Sequence, residues 1–112
     1  MPWAGSTVAE VTLTVTPNAE QILSLWERHR DAPWPNVSHP SEGELMTLDT
    51  VISGCVQYYL ESDVGLDQRR IEMLESCRVD LAALLPELRP DVSGYFSRLC
   101  DLAALLLQDP RR

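Results

Sequence analysis

Residues Pro90 to Pro110 read P-D-V-S-G-Y-F-S-R-L-C-D-L-A-A-L-L-L-Q-D-P. Val92, Tyr95, Phe96, Leu99, Leu102, Ala103 and Leu106 recur at steps of three and four, which aligns them along one side of a helix. Pro90 suits the first turn, where its fixed φ is already helical and its missing N–H costs nothing. Asp109-Pro110 stops the run. The stretch therefore predicts a helix over about 91–108.

Three more segments of this kind lie upstream. Asp67 is placed to cap a helix over about 67–85, with Leu66 and Ile71 forming a hydrophobic staple. Its stripe is Ile71, Leu74, Cys77, Leu81, Leu84 and Leu88, and Pro86 ends or kinks it at Leu85. Ser41-Glu42-Gly43-Glu44 has the pattern of a capping box and opens a helix over about 41–62, striped by Leu45, Leu48, Ile52, Cys55, Val56 and Tyr59. The first helix, over about 18–32, is capped by Thr16 or Asn18 and ended by Pro33. Ile22, Leu25, Trp26 and His29 share its inner face. Between the first two helices, Ala32 to Pro40 (A-P-W-P-N-V-S-H-P) holds three prolines and is stiff for that reason.

The expected fold is all-α: an antiparallel four-helix bundle forming one domain over about 17–109, preceded by an arm of about 16 residues. Within the arm, Val11 to Thr16 alternates apolar and hydroxyl residues, as a strand does. A lone strand leaves its backbone groups unpaired. Three outcomes stay open: pairing with a second copy in a homodimer, lying extended against the helices, or flexibility. Composition agrees with the helical reading. Hydrophobic residues make up 45% of the 112, enough for one core, while only 6% are aromatic, which disfavours a sheet protein.

Charge narrows the function classes. Seventeen acids against nine bases give a formal net charge of −8, so nucleic acid and anionic membrane are expected to be repelled and a basic protein partner attracted. Arg69-Arg70 is flanked by Asp67 and Glu72, a salt-bridged surface rather than a phosphate contact. Every base is arginine, so lysine chemistry is excluded. Three widely spaced cysteines, Cys55, Cys77 and Cys100, form no C-x-x-C and predict no disulfide framework. With no signal-peptide pattern and no membrane-length apolar run, the expected location is cytoplasmic.

Catalytic equipment is sparse, and the chain reads as a non-enzyme without cofactor or metal. Neither His29 nor His39 has an acid three residues before it, as a carboxylate-bridged metal bundle requires, and the cysteines lack zinc-ligand spacing. All three thiols fall on apolar stripes, where a cysteine packs as a small hydrophobe. An acid/base centre would need something like His29 facing a buried carboxylate. The acids Glu42 and Asp49 are read instead as solvated, outside the stripe of their helix.

Binding features carry the functional expectation. Trp34, on the stiff loop, is either an interface anchor or a lid folded back over the bundle end. Tyr58, with Val51 and Met46, forms a second apolar strip on the second helix, rimmed by acids such as Glu42 and Asp49. The expected function is a protein-interaction module, an inhibitor, immunity-like protein or adaptor, contacting its partner through Trp34, Tyr58, Glu42 and Asp49. The alternative is a small-molecule binder with an interhelical cavity lined by Trp26, Cys55, Tyr59 and Phe96. Ser53 and Gly54 also mark a thin point where a neighbouring helix could approach closely.

Overall fold

The structure is a computed structural model and describes residues 17–108. The arm with Val11 to Thr16 lies outside the described residues. Within them the chain forms four helices, α1 (Pro17–Asp31), α2 (Glu42–Glu61), α3 (Gln68–Leu84) and α4 (Pro90–Leu107), with a 3-10 turn at Leu85–Glu87. The architecture is the expected all-α four-helix bundle.

The helix ends follow from local chemistry. Asp67 is extended, and its carboxylate accepts the Arg70 amide at 2.8 Å, satisfying one of the unpaired N–H groups of the first turn of α3. Leu66 and Ile71, the expected staple, are both buried. Pro86 cannot continue α3, and the chain tightens into the 3-10 turn before Pro90 opens α4. Between α2 and α3, Gly65 takes a φ of 82°, a left-handed conformation that only glycine adopts without strain.

The start of α2 differs from expectation. Ser41 makes no capping bond with its side chain, because its backbone (φ −91°, ψ 15°) is not extended and cannot aim the hydroxyl at the following amides. His39 takes over: its Nδ1 accepts the Ser41 amide at 3.0 Å and its carbonyl accepts the Glu42 amide at 3.0 Å. His39 Nε2 lies 3.5 Å from Glu87 beside α4. The proline-rich loop is pinned further by buried Val37 and by a 2.7 Å bond from Arg89 to the Asn36 carbonyl. Three prolines limit its shapes, and these contacts select one.

One hydrophobic core serves all four helices. α1 gives Ile22 and Trp26; α2 gives Leu45, Leu48, Ile52, Cys55, Val56 and Tyr59; α3 gives Ile71, Leu74 and Leu81. The α4 set is Val92, Phe96, Leu99, Leu102, Ala103 and Leu106, all buried. α4 packs against each of the other three helices, whereas α1 and α3 make no close backbone approach. Asn18, at the start of α1, donates to the Leu105 carbonyl near the end of α4 at 2.8 Å, while His29 meets Tyr95 and Arg98. The two helices therefore run antiparallel.

Because α4 occupies the middle of this core, Leu99→Ala should cost about 2–5 kcal/mol through lost transfer energy and a cavity. Met46→Ala, on the exposed side of α2, should change stability by less than about 0.5 kcal/mol. Urea unfolding of the two variants checks the contrast.

Candidate functional site

Two features stand out: a polar knot where α1, α2 and α4 meet, and a groove between α2 and α3. The knot centres on Asp49. Its Oδ1 lies 3.0 Å from His29 Nε2 and accepts from the Ser53 hydroxyl at 3.1 Å, while Oδ2 accepts from the Tyr95 hydroxyl at 2.8 Å. The His29 ring is 3% exposed and packs against Tyr95 with centroids 4.4 Å apart. Arg98 Nε donates a long bond, 3.4 Å, to His29 Nδ1. A ring whose Nδ1 accepts must carry its proton on Nε2, so neutral His29 donates to Asp49.

Asp49 was expected on the solvated rim, and the structure turns it inward. Seven residues separate it from fully buried Val56. At about 100° per residue, seven steps fall only about 20° short of two turns, so the two share a face. Burial pushes its carboxyl pKa up. The bonds from His29 and Tyr95, the charge of His29 when protonated and the Ser53 bond together outweigh burial and hold it below the usual 3.8. Burial, the bond to Asp49 and the charge of that carboxylate push the Tyr95 hydroxyl well above its ordinary range, so it stays a donor at neutral pH.

Chemically, the knot has the carboxylate–imidazole pair that an acid/base centre needs. The second ring nitrogen, however, meets Arg98 rather than open space, so the ring offers no free lone pair to a bound molecule. What the arrangement does is tie three helices at one point with three hydrogen bonds between helices, backed by the Ser53 bond within α2.

The groove is about 430 Å³ and is lined from α2 by Thr50, Val51, Gly54, Cys55, Gln57, Tyr58 and Glu61, and from α3 by Arg70 and Met73. Tyr58 is 37% exposed and Met73 42%, and Met46 farther along α2 is 53% exposed. The Arg70 guanidinium sits 3.8 Å from the Tyr58 ring centroid and also pairs with the Asp67 carboxylate, which holds one wall in place and offsets the arginine charge. Gly54 was expected to let a neighbouring helix approach closely, but an added Cβ there would meet nothing within 4 Å, so no helix does. The floor of the groove is open there.

The remaining candidates fall into place around these features. Trp34 is 40% exposed but folds back: its ring stands edge-on to Tyr95 and Phe96, with centroids 5.6 and 5.5 Å away, and its Nε1 donates to Glu42 at 3.3 Å. It is a lid over the bundle end, and Glu42 holds it. Trp26, Cys55, Tyr59 and Phe96 are all buried in the core, and only Cys55 also reaches the groove. Burial raises the pKa of all three thiols, helped at Cys55 by neighbouring Cys77 and at Cys77 by Asp80, so little thiolate forms at neutral pH. Among the described residues, no three histidine, cysteine or acidic side chains converge to hold a metal ion, and no helix is long and apolar enough to cross a membrane.

Sequence reasoning missed Ser53, Tyr95 and Arg98 as members of the knot. Tyr95 and Arg98 are three residues apart on α4, and Asp49 and Ser53 four apart on α2, so each pair was visible as a polar edge beside an apolar stripe. That the edges meet across helices was not. No family model matches the chain, and no curated protein or solved structure is significantly similar to it.

Asp49→Asn should test the knot. An amide nitrogen would face a donor already aimed at that position, costing about 1–3 kcal/mol. Because the folded carboxyl titrates below 3.8, its contribution is fully present above that value and is lost as pH falls through the lower folded value. Urea unfolding as a function of pH should show this acid-side loss in the native protein and a shallower one in the variant.

Proposed function

We propose that this chain is a protein-interaction module that docks the outer face of α2, with the adjoining edge of α3, onto a basic protein partner. The observation that carries the reading is the second apolar strip of α2. Tyr58 is exposed, half-buried Val51 lies two turns back on the same face of α2, and Met73 of α3 extends the patch across the groove. Tyrosine and methionine are enriched at protein interfaces, and tyrosine contributes contact area at modest entropic cost.

Charge favours a distinct partner over a second copy. α2 carries no basic residue, and its Glu44 and Glu61 are exposed, within a chain of net charge −8. Two such faces brought together would repel each other, while a basic surface would be steered toward them. The three unpaired thiols suit a reducing, cytoplasmic setting for this work. The knot and the Trp34 lid lie elsewhere on the bundle and serve its internal order.

Affinity capture from the native host at low salt, run in parallel with a Tyr58→Ala/Met73→Ala variant, tests the reading. The native protein should retain a stoichiometric basic partner whose binding weakens as salt rises. If Tyr58 is an anchor, its truncation alone costs about 2 kcal/mol, roughly 30-fold in affinity. Capture of nothing, or of a partner held equally by the variant, would sink the proposal. Light scattering of the isolated chain at micromolar concentration should give a monomer.

A further inference from the structure

The knot contains a histidine whose two ring nitrogens do opposite jobs. Nε2 donates to Asp49 on α2, and Nδ1 accepts from Arg98 on α4. Neutral imidazole can do both; imidazolium cannot, because both nitrogens then carry protons. We propose that His29 is a one-proton latch: neutral, it links α1 to both α2 and α4, and protonated, it holds α2 alone and releases Arg98.

The groups facing His29 account for both halves of the switch. From α2, the Asp49 carboxylate lies 3.0 Å from Nε2 and would pair with the cation. From α4 come the Tyr95 ring, neutral and with its hydroxyl committed to Asp49, and the Arg98 guanidinium. α1 contributes the uncharged Trp26 ring, 6.2 Å away between centroids, and α3 makes no close backbone approach to α1. Adding a proton at Nδ1 sets it against the Arg98 Nε–H, donor against donor and cation against cation, at a separation that is now 3.4 Å. Asp49 cannot relieve that contact, since it sits at the opposite nitrogen.

Arg98 is the member free to move. It is half-buried and lies 5.7 Å from the Tyr95 ring centroid, whereas His29 is enclosed and Asp49 is held by three donors. Imidazole is the side-chain type whose charge ordinarily changes between about pH 5 and 8, which sets the pH range for the test. The proton comes from solvent, and no other bond in the knot has to break.

Nitrogen-15 NMR of the full-length protein, following the His29 ring and the Arg98 Nε–H from about pH 8 to pH 5, tests this. The expected result is an Nε2–H tautomer at the alkaline end, with the Arg98 signal moving on the same titration curve as the ring. Arg98→Ala, which removes the opposing donor, should shift the ring titration to higher pH. An Nδ1–H tautomer, an Arg98 signal indifferent to the ring, or a ring that stays neutral across the range would each overturn the proposal.

Discussion

The packing of α4 against three helices at once is the constraint from which the rest of the structure follows. Because α1 and α3 make no close backbone approach to each other, each depends on α4 for much of its burial, and α2 closes the remaining side. Val92, Phe96, Leu99, Leu102, Ala103 and Leu106 extend this contact through four turns of the helix without a polar interruption. A fully buried leucine or phenylalanine contributes about 1.5–3 kcal/mol, so this stripe outweighs any single cap or ion pair in the molecule. Helix register is decided by apolar contact, and polar groups are arranged within it.

The Asp49 knot shows how that arrangement works. A carboxylate at a position that shares a face with Val56 must either neutralise or find partners. It finds His29, Ser53 and Tyr95, which come from three different helices. Hydrophobic burial alone would accept several rotations of α1 against α2. A hydrogen-bonded carboxylate accepts one, because sliding either helix would strand a buried charge at a cost of several kcal/mol. The knot thus selects a register within an interface whose strength comes from leucine.

How far this could be read from sequence depends on whether the signal was local. The stripes of all four helices, the Asp67 cap and the stop at Pro86 each depend on residues a few positions apart, and all were legible. The cap at Ser41 was not, because whether a serine caps depends on its own backbone, and the His39 ring had already claimed the amide. Asp49 is an instructive miss. Its distance from Val56 places it on the buried face by simple helical geometry, yet its charge suggested the rim, and the spacing argument was the stronger one. The partnership of His29 with Asp49 and Arg98 spans separations of 20 and 69 residues, and no local pattern carries it.

α2 has more apolar surface than the bundle consumes. Its inner stripe of Leu45, Leu48, Ile52, Cys55, Val56 and Tyr59 meets the demands of the core, and Asp49 ties one flank to α1 and α4. Val51 and Tyr58 lie on the edge of α2 that borders the groove toward α3, and Gly54 between them leaves the backbone uncovered. A helix needed only for packing would place charged residues at those positions, since an exposed apolar patch invites association. Arg70, itself neutralised by Asp67, braces the strip at the Tyr58 ring. A held aromatic beside an open backbone presents a pre-ordered surface, and pre-ordering lowers the entropic cost of covering it. That is the physical reason the proposed docking surface is placed on α2 rather than at the enclosed knot.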